Sequence, residues 1–141
     1  CRPYPKKMKD YLNLRVKFRE NFRPFAPAVL KEDCSKYFQI NQESPHMLIA
    51  CKVKKNSENK IPAVVHIDKT CRVQTVSKNS NLNFYNLLSS FKKKTNCSVL
   101  LNTSFNIKGQ PIVNSFEDAI NTFKRTKIDV LFIDKFIVTK N

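Results

Sequence analysis

"SVLLNTSFNIKGQPIVNS", residues 98–115, contains the only glycine of the 141-residue chain, Gly109. Val99 to Leu101 is short and apolar and runs into Asn-Thr-Ser, the pattern of a buried strand that delivers polar side chains at its end. In open α/β sheets that end is where ligands sit. Ser104 and Asn106 follow two residues apart, and their hydroxyl and amide groups suit a phosphate oxygen, a sugar or a carbonyl. Gly109 then tolerates positive φ without strain, which permits a sharp turn or a close approach to a ligand. With one glycine available, turns elsewhere must use Asn, Asp, Ser and Pro.

Downstream of this stretch, Ser115 with Asp118 resembles a capping box, and Phe116, Ala119, Ile120 and Phe123 repeat at helical spacing. Upstream, Phe84, Leu87, Leu88 and Phe91 form a second apolar stripe. "IDVLFIDKFIVTKN" reads as one strand, or as two with a turn at Asp134-Lys135. "MLIACKV", "AVVHI" and "CRVQTV" read as strands by β-branched content and alternation. Short helices are expected near Met8 to Leu14 and Asp33 to Phe38. The alternation of strands with striped helices predicts an α/β or α+β sheet with helices packed on it, as a single domain over residues 1–141. Residues 1–7 read as a cut linker.

Hydrophobic residues make up 41% of the chain, with 11 Phe, enough for a core. No run approaches the ~18 apolar residues that a membrane span needs, so a soluble, cytoplasmic protein is expected. The five cysteines lack a C-x-x-C pair, which argues for reduced thiols and against a zinc site. Two histidines, His46 and His66, make a protein-built metal site improbable; His66, inside an apolar run, reads as a core histidine. The formal charge of +15 predicts an anionic partner.

In "VKFRENFRPFAPAVL", residues 16–30, Pro24 and Pro27 exclude a helix interior. On an extended backbone Lys17 and Arg19 share a face, Val16 and Phe18 occupy the other, and Arg23 continues the basic parity. This arrangement is an anion clamp on an apolar backing, or else an edge strand with solvated basic residues. In "HIDKTCRVQTV", residues 66–76, Arg72 and Gln74 share a face. Asp68 either orients a phosphate and holds Mg²⁺ through water, or is the structural aspartate of a hairpin turn.

Taken in order, "VKFRENFRPFAPAVL", "SPHM", "HIDKTCRVQTV", "LLNTSFNIKGQPIVNSFEDAI" and "DVLFI" resemble the C-terminal domain of the carbamoyltransferases related to the nodulation protein NodU and to tobramycin carbamoyltransferase. The resemblance covers nearly the whole chain. It implies a YrdC-like twisted mixed sheet with packed helices and a domain that converts ATP and carbamoyl phosphate to carbamoyl adenylate. A kinase-like N-terminal transfer domain, absent here, would then carbamoylate an acceptor hydroxyl. The K-x-R and S-x-N signature of YrdC-like domains matches Lys17, Arg19, Ser104 and Asn106. Arg23 and Arg72 match further basic positions of the carbamoyl phosphate and nucleotide pocket, and Mg²⁺ should accompany ATP.

Two departures stand out. Asp68-Lys69-Thr70 replaces the family's Asp-Gly-Thr, and Thr95-Asn96 replaces Thr-Gly. Asn96 accommodates a left-handed backbone, whereas Lys69 would be strained by one. His46 stands where an aromatic residue is usual. Two other classes are expected to compete with the activating reading: a nucleic-acid-binding module, motivated by charge but lacking a stacking motif, and an inert fragment whose pocket was lost with those glycines.

Overall fold

A computed structural model describes residues 1–140. In chain order it contains α1 (Met8–Leu12), a π-helical turn (Asn13–Lys17), β1 (Ala26–Leu30), a 3₁₀ turn (Lys31–Asp33), α2 (Cys34–Tyr37), β2 (Phe38–Gln39), β3 (Ala50–Val53) and α3 (Lys55–Glu58). There follow a second 3₁₀ turn (Pro62–Val64), β4 (Thr70–Arg72), β5 (Gln74–Val76), α4 (Leu82–Thr95), β6 (Val99–Asn102), α5 (Phe116–Arg125), β7 (Val130–Ile133) and β8 (Phe136–Thr139). The class is mixed α/β, as the sequence predicts. The chain divides into two compact units: Cys1–Lys9 with Pro24–Thr103, and Asp10–Arg23 with the described residues from Ser104 onward. Among the described residues no helix is long and apolar enough to cross a membrane.

The first unit holds two three-stranded sheets, ordered β5-β1-β6 and β2-β3-β4. β1 lies parallel to β5 and antiparallel to β6, and all five of its residues are buried, as a central strand covered on both faces requires. Pro27 is tolerated in β1 because the β5 ladder begins only at Ala28, paired with Gln74. Ala28, Leu30 and Val76 meet Leu88 of α4 in one apolar cluster. Asn81 caps α4, its Oδ1 accepting from Phe84 N–H at 3.0 Å. Lys92 at the far end of α4 pairs with buried Asp33 at 2.6 Å, and Lys36 reaches the same carboxylate at 2.5 Å. Burial pushes the Asp33 pKa up, but hydrogen bonds from Lys36, Lys92 and Ser98 prevail and hold it at about 2.

Several local expectations are corrected. "AVVHI" is not a strand: Pro62 opens a 3₁₀ turn, and Ile61, Ala63 and Val64 are apolar because they fill the core. "CRVQTV" is broken at fully buried Val73, so that β4 joins one sheet and β5 the other. The strand in "MLIACKV" is confined to Ala50–Val53, since Met47 has φ 57° and Leu48 is exposed. On α4, Leu88 is buried but Leu87 faces out. Within residues 1–7, Cys1 N and Leu101 O, and Leu101 N and Cys1 O, bond at 2.9 and 2.8 Å along the outer edge of β6, Pro3 is buried and Tyr4 stacks on Phe91. Lys69 and Asn96 are both left-handed, at φ 66° and 56°. Asparagine adopts this readily, while Lys69 carries a strain of about 1 kcal/mol. All five cysteines are free, and four are buried.

In the second unit, Ala119, Phe123 and Leu131 form a core with Phe105, Val113, Ile120, Ile128, Ile133 and Val138 packed against it. Ser115 caps α5 as expected, accepting from Asp118 N–H at 3.0 Å. β7 and β8 pair antiparallel about Asp134, whose φ of 50° suits the tight turn expected at Asp134-Lys135.

Candidate functional site

The basic segment of the second unit is built differently from the extended strand that alternation suggests. Leu12 and Val16, four apart and both buried, continue the inner stripe of α1, so the chain stays helical through Lys17. Phe18 then turns left-handed, at φ 49° and ψ 49°, and its N–H returns to Asn13 O. Arg19 N–H reaches the same carbonyl at 2.9 Å. Lys17 is therefore buried with Val16, while Phe18 is exposed: the reverse of the parity expected on an extended backbone.

Lys17 Nζ donates to Ser104 O at 2.9 Å, Ser104 Oγ at 3.1 Å and Asn106 Oδ1 at 2.6 Å. Ser104 Oγ–H also donates to Asn106 Oδ1 at 2.6 Å. Three acceptors match the three donors of an ammonium, so the loop is shaped around the charged form. Burial, helped by the charge on Arg19, lowers the Lys17 pKa to about 8. The loop is closed by its own bonds: Asn106 Nδ2 to Gln110 O at 2.9 Å, and Lys108 N to Lys17 O at 2.9 Å. Gly109 has φ 79° with nothing within 4 Å of an added Cβ, so its role is the turn.

Asn13 is the residue that sequence reading missed. It is fully buried; its Oδ1 accepts from Arg19 Nε at 2.7 Å, and its Nδ2 donates to Asn21 O at 3.2 Å and Arg23 O at 2.9 Å. One side chain thereby fixes the direction of the Arg19 guanidinium and closes the loop that carries Arg23. The available signal was a polar residue interrupting the apolar run "YLNLRV". Glu20 sits among the cations, 2.6 Å from Lys108 Nζ and 3.9 Å from Arg23 Nε. The Lys108 hydrogen bond holds Glu20 below the usual carboxylate range. Burial and then the charge of Arg23 lower the pKa of Arg19, opposed by Glu20. Lys17, Arg19, Arg23, Ser104 and Asn106 thus all belong to this unit, with Lys17, Ser104 and Asn106 in direct contact.

Asp68 and Arg72 lie in the first unit. Asp68 Oδ1 accepts from Thr70 N–H at 3.0 Å and from Thr70 Oγ1–H at 2.7 Å, the bonding of an Asx turn. Arg72 ends β4, exposed and opposite Ala50. His66 is half-buried, not a core residue, and His46 is exposed. Among the described residues no three His, Cys, Asp or Glu side chains are grouped to hold a metal ion.

Comparison with known proteins identifies the family of this chain. Nodulation protein NolO of Bradyrhizobium diazoefficiens is 42% identical over 98% of this chain and 26% of its own length. Nodulation protein NolNO of Sinorhizobium fredii is 42% identical over 98% of this chain and 21% of its own length. Nodulation protein U of Rhizobium tropici is 38% identical over 94% of this chain and 22% of its own length. The chain therefore spans about a quarter of the length of these curated relatives. Residues 1–140 match the model of the carbamoyltransferase C-terminus, and the chain belongs to that family.

Proposed function

We propose that the chain is a carbamoyl-activating domain that binds ATP and carbamoyl phosphate and forms carbamoyl adenylate, for transfer to an acceptor hydroxyl by a domain outside this chain. The observation that carries the reading is the buried Lys17 ammonium bonded to Ser104 and Asn106, beside an Arg19 whose direction Asn13 fixes. Fixed positive charge is what the reaction asks for. Once carbamoyl phosphate and water have given carbamate and inorganic phosphate, a carbamate oxygen attacks the α-phosphorus of ATP and pyrophosphate leaves. Charge builds on the nonbridging and departing oxygens, and preorganised guanidinium groups stabilise it without a side-chain nucleophile.

All three Lys17 donors are engaged by the loop, so its part is to hold Ser104 and Asn106 and to supply charge. Arg19 and Arg23 provide the N–H groups suited to phosphate oxygens, and Ser104 and Asn106 position the substrate. Family resemblance assigns Arg72 to phosphate as well, with Asp68 near it in sequence. Mg²⁺ would be held by ATP phosphates and water, since no protein-only cage is grouped for it among the described residues.

Calorimetric titration with α,β-methylene ATP and Mg²⁺ tests this. Saturable binding is expected, weakened in Arg19→Ala by about tenfold to a hundredfold, the worth of a charge-assisted hydrogen bond. No saturable binding to the unsubstituted chain, or equal affinity in the variant, would refute the assignment.

A further inference from the structure

The outer face of the β2-β3-β4 sheet carries a hydrogen-bond chain that the proposed function leaves unused. Thr70 Oγ1 lies 2.7 Å from Asp68 Oδ1 and 3.2 Å from His66 Nδ1. A hydroxyl has one hydrogen, and an ionised carboxylate only accepts. Thr70 therefore gives its hydrogen to Asp68 and meets His66 as an acceptor, so Nδ1 carries the imidazole proton and Nε2 is left with a lone pair. The segment is braced further by His66 N to Thr70 O at 2.8 Å and Lys69 N to His66 O at 3.1 Å.

The surroundings are cationic. Residues two apart on a strand share a face, so Thr70 and Arg72 stand together, with buried Cys71 on the other side. Directly opposed residues share it too, which puts Lys52 across from Thr70 and Ala50 across from Arg72. Lys52, Ala50 and Arg72 are exposed, whereas their neighbours Cys51, Val53 and Cys71 are buried. Burial first, then the charges of Arg72 and Lys9, lower the His66 pKa, with Asp68 opposing. Lys69 is turned to Glu58 of α3, at 2.8 Å.

We propose that His66 is the proton acceptor of an oxyanion site on this face, its Nε2 kept unprotonated by the His66–Thr70–Asp68 chain, and that the ligand is a phosphate- or carbamate-type oxyacid held by Arg72. The proposal deepens the functional reading at Arg72 and rests on that residue being an anion ligand. The ligand arrives with one acidic O–H. That bond breaks, Nε2–H forms, and the ligand becomes more anionic opposite Arg72 and Lys52. The imidazolium keeps Nδ1–H on Thr70, and Asp68 stays ionised throughout.

Long-range ¹H–¹⁵N NMR of the chain, titrated with pH and with inorganic phosphate, tests this, and with two histidines the spectrum is simple to assign. The Nδ1–H tautomer is expected, and Thr70→Val should abolish the preference. Phosphate should raise the His66 midpoint by about one pH unit, equivalent to tenfold tighter binding by the protonated form. Arg72→Ala should keep the tautomer and lose the phosphate shift. An Nε2–H tautomer, a midpoint that phosphate does not move, or an equal shift in Arg72→Ala would each overturn the proposal. Because the probe is phosphate, absence of ATP binding would refute the nucleotide reading and leave this result intact.

Discussion

Replacement of Lys17 by methionine is expected to lower the unfolding free energy by about 2–5 kcal/mol and to abolish measurable nucleotide binding. Methionine fills the aliphatic volume but offers no donor, so Ser104 O loses its side-chain partner and Asn106 Oδ1 keeps only the Ser104 hydroxyl. Three charge-assisted bonds at about 1.5–3 kcal/mol each are lost. Against them stands the relief of a buried ammonium, whose burial lowers its pKa to about 8. The bonds outweigh that relief. Urea denaturation checks the loss, and hydrogen exchange should place the loosening in residues 104–110.

The same pKa fixes a pH dependence. Lys17 binds its proton less tightly when folded than when unfolded, so between about 8 and 10.5 the unfolded chain holds more protons and Lys17 makes stability rise with pH. The Lys17→Met chain should lack that rise. Nucleotide affinity should move the other way and fall above pH 8, as the charge facing the phosphates is lost.

Asn13→Ala is expected to cost about 2–4 kcal/mol, because at a fully buried position it removes the side-chain donor to Asn21 O and Arg23 O and the acceptor for Arg19 Nε. Its effect on nucleotide binding should run through Arg19. In a double-mutant cycle, Asn13→Ala should weaken α,β-methylene ATP binding severalfold in the parent chain and much less in an Arg19→Ala background. Asn13→Asp keeps the acceptor for Arg19 and loses both donors to the loop, so it should fall between. Equal penalties in both backgrounds would show that Asn13 serves stability alone.

What could be read from the sequence follows the range of the interactions. The Ser115 cap, the β7–β8 turn and the two long helices were legible because each is written within about ten residues. The two-residue spacing of Lys17 and Arg19 predicts a shared face on an extended backbone, and the backbone is not extended there. They sit on either side of a left-handed Phe18 at the end of a π-helical turn, and nothing in "VKFRENF" announces a ring closed on the Asn13 carbonyl. The pairing of Lys17 with Ser104, 87 residues apart, is set by tertiary folding and reached the reading only through family resemblance. "AVVHI" and "CRVQTV" misled for a common reason: β-branched runs mark burial, and burial was met by a 3₁₀ turn in one and by a crossing between two sheets in the other.

In the proposed function the Lys17 ammonium, buried and bonded to Ser104 and Asn106, supplies charge behind the groups that contact a nucleotide's phosphates. NMR titration of the Lys17 side chain, with and without α,β-methylene ATP and Mg²⁺, addresses it directly. The structure predicts a midpoint near 8 in the free chain, moving upward when nucleotide binds. A midpoint at the ordinary lysine value, or one that nucleotide leaves in place, would contradict it.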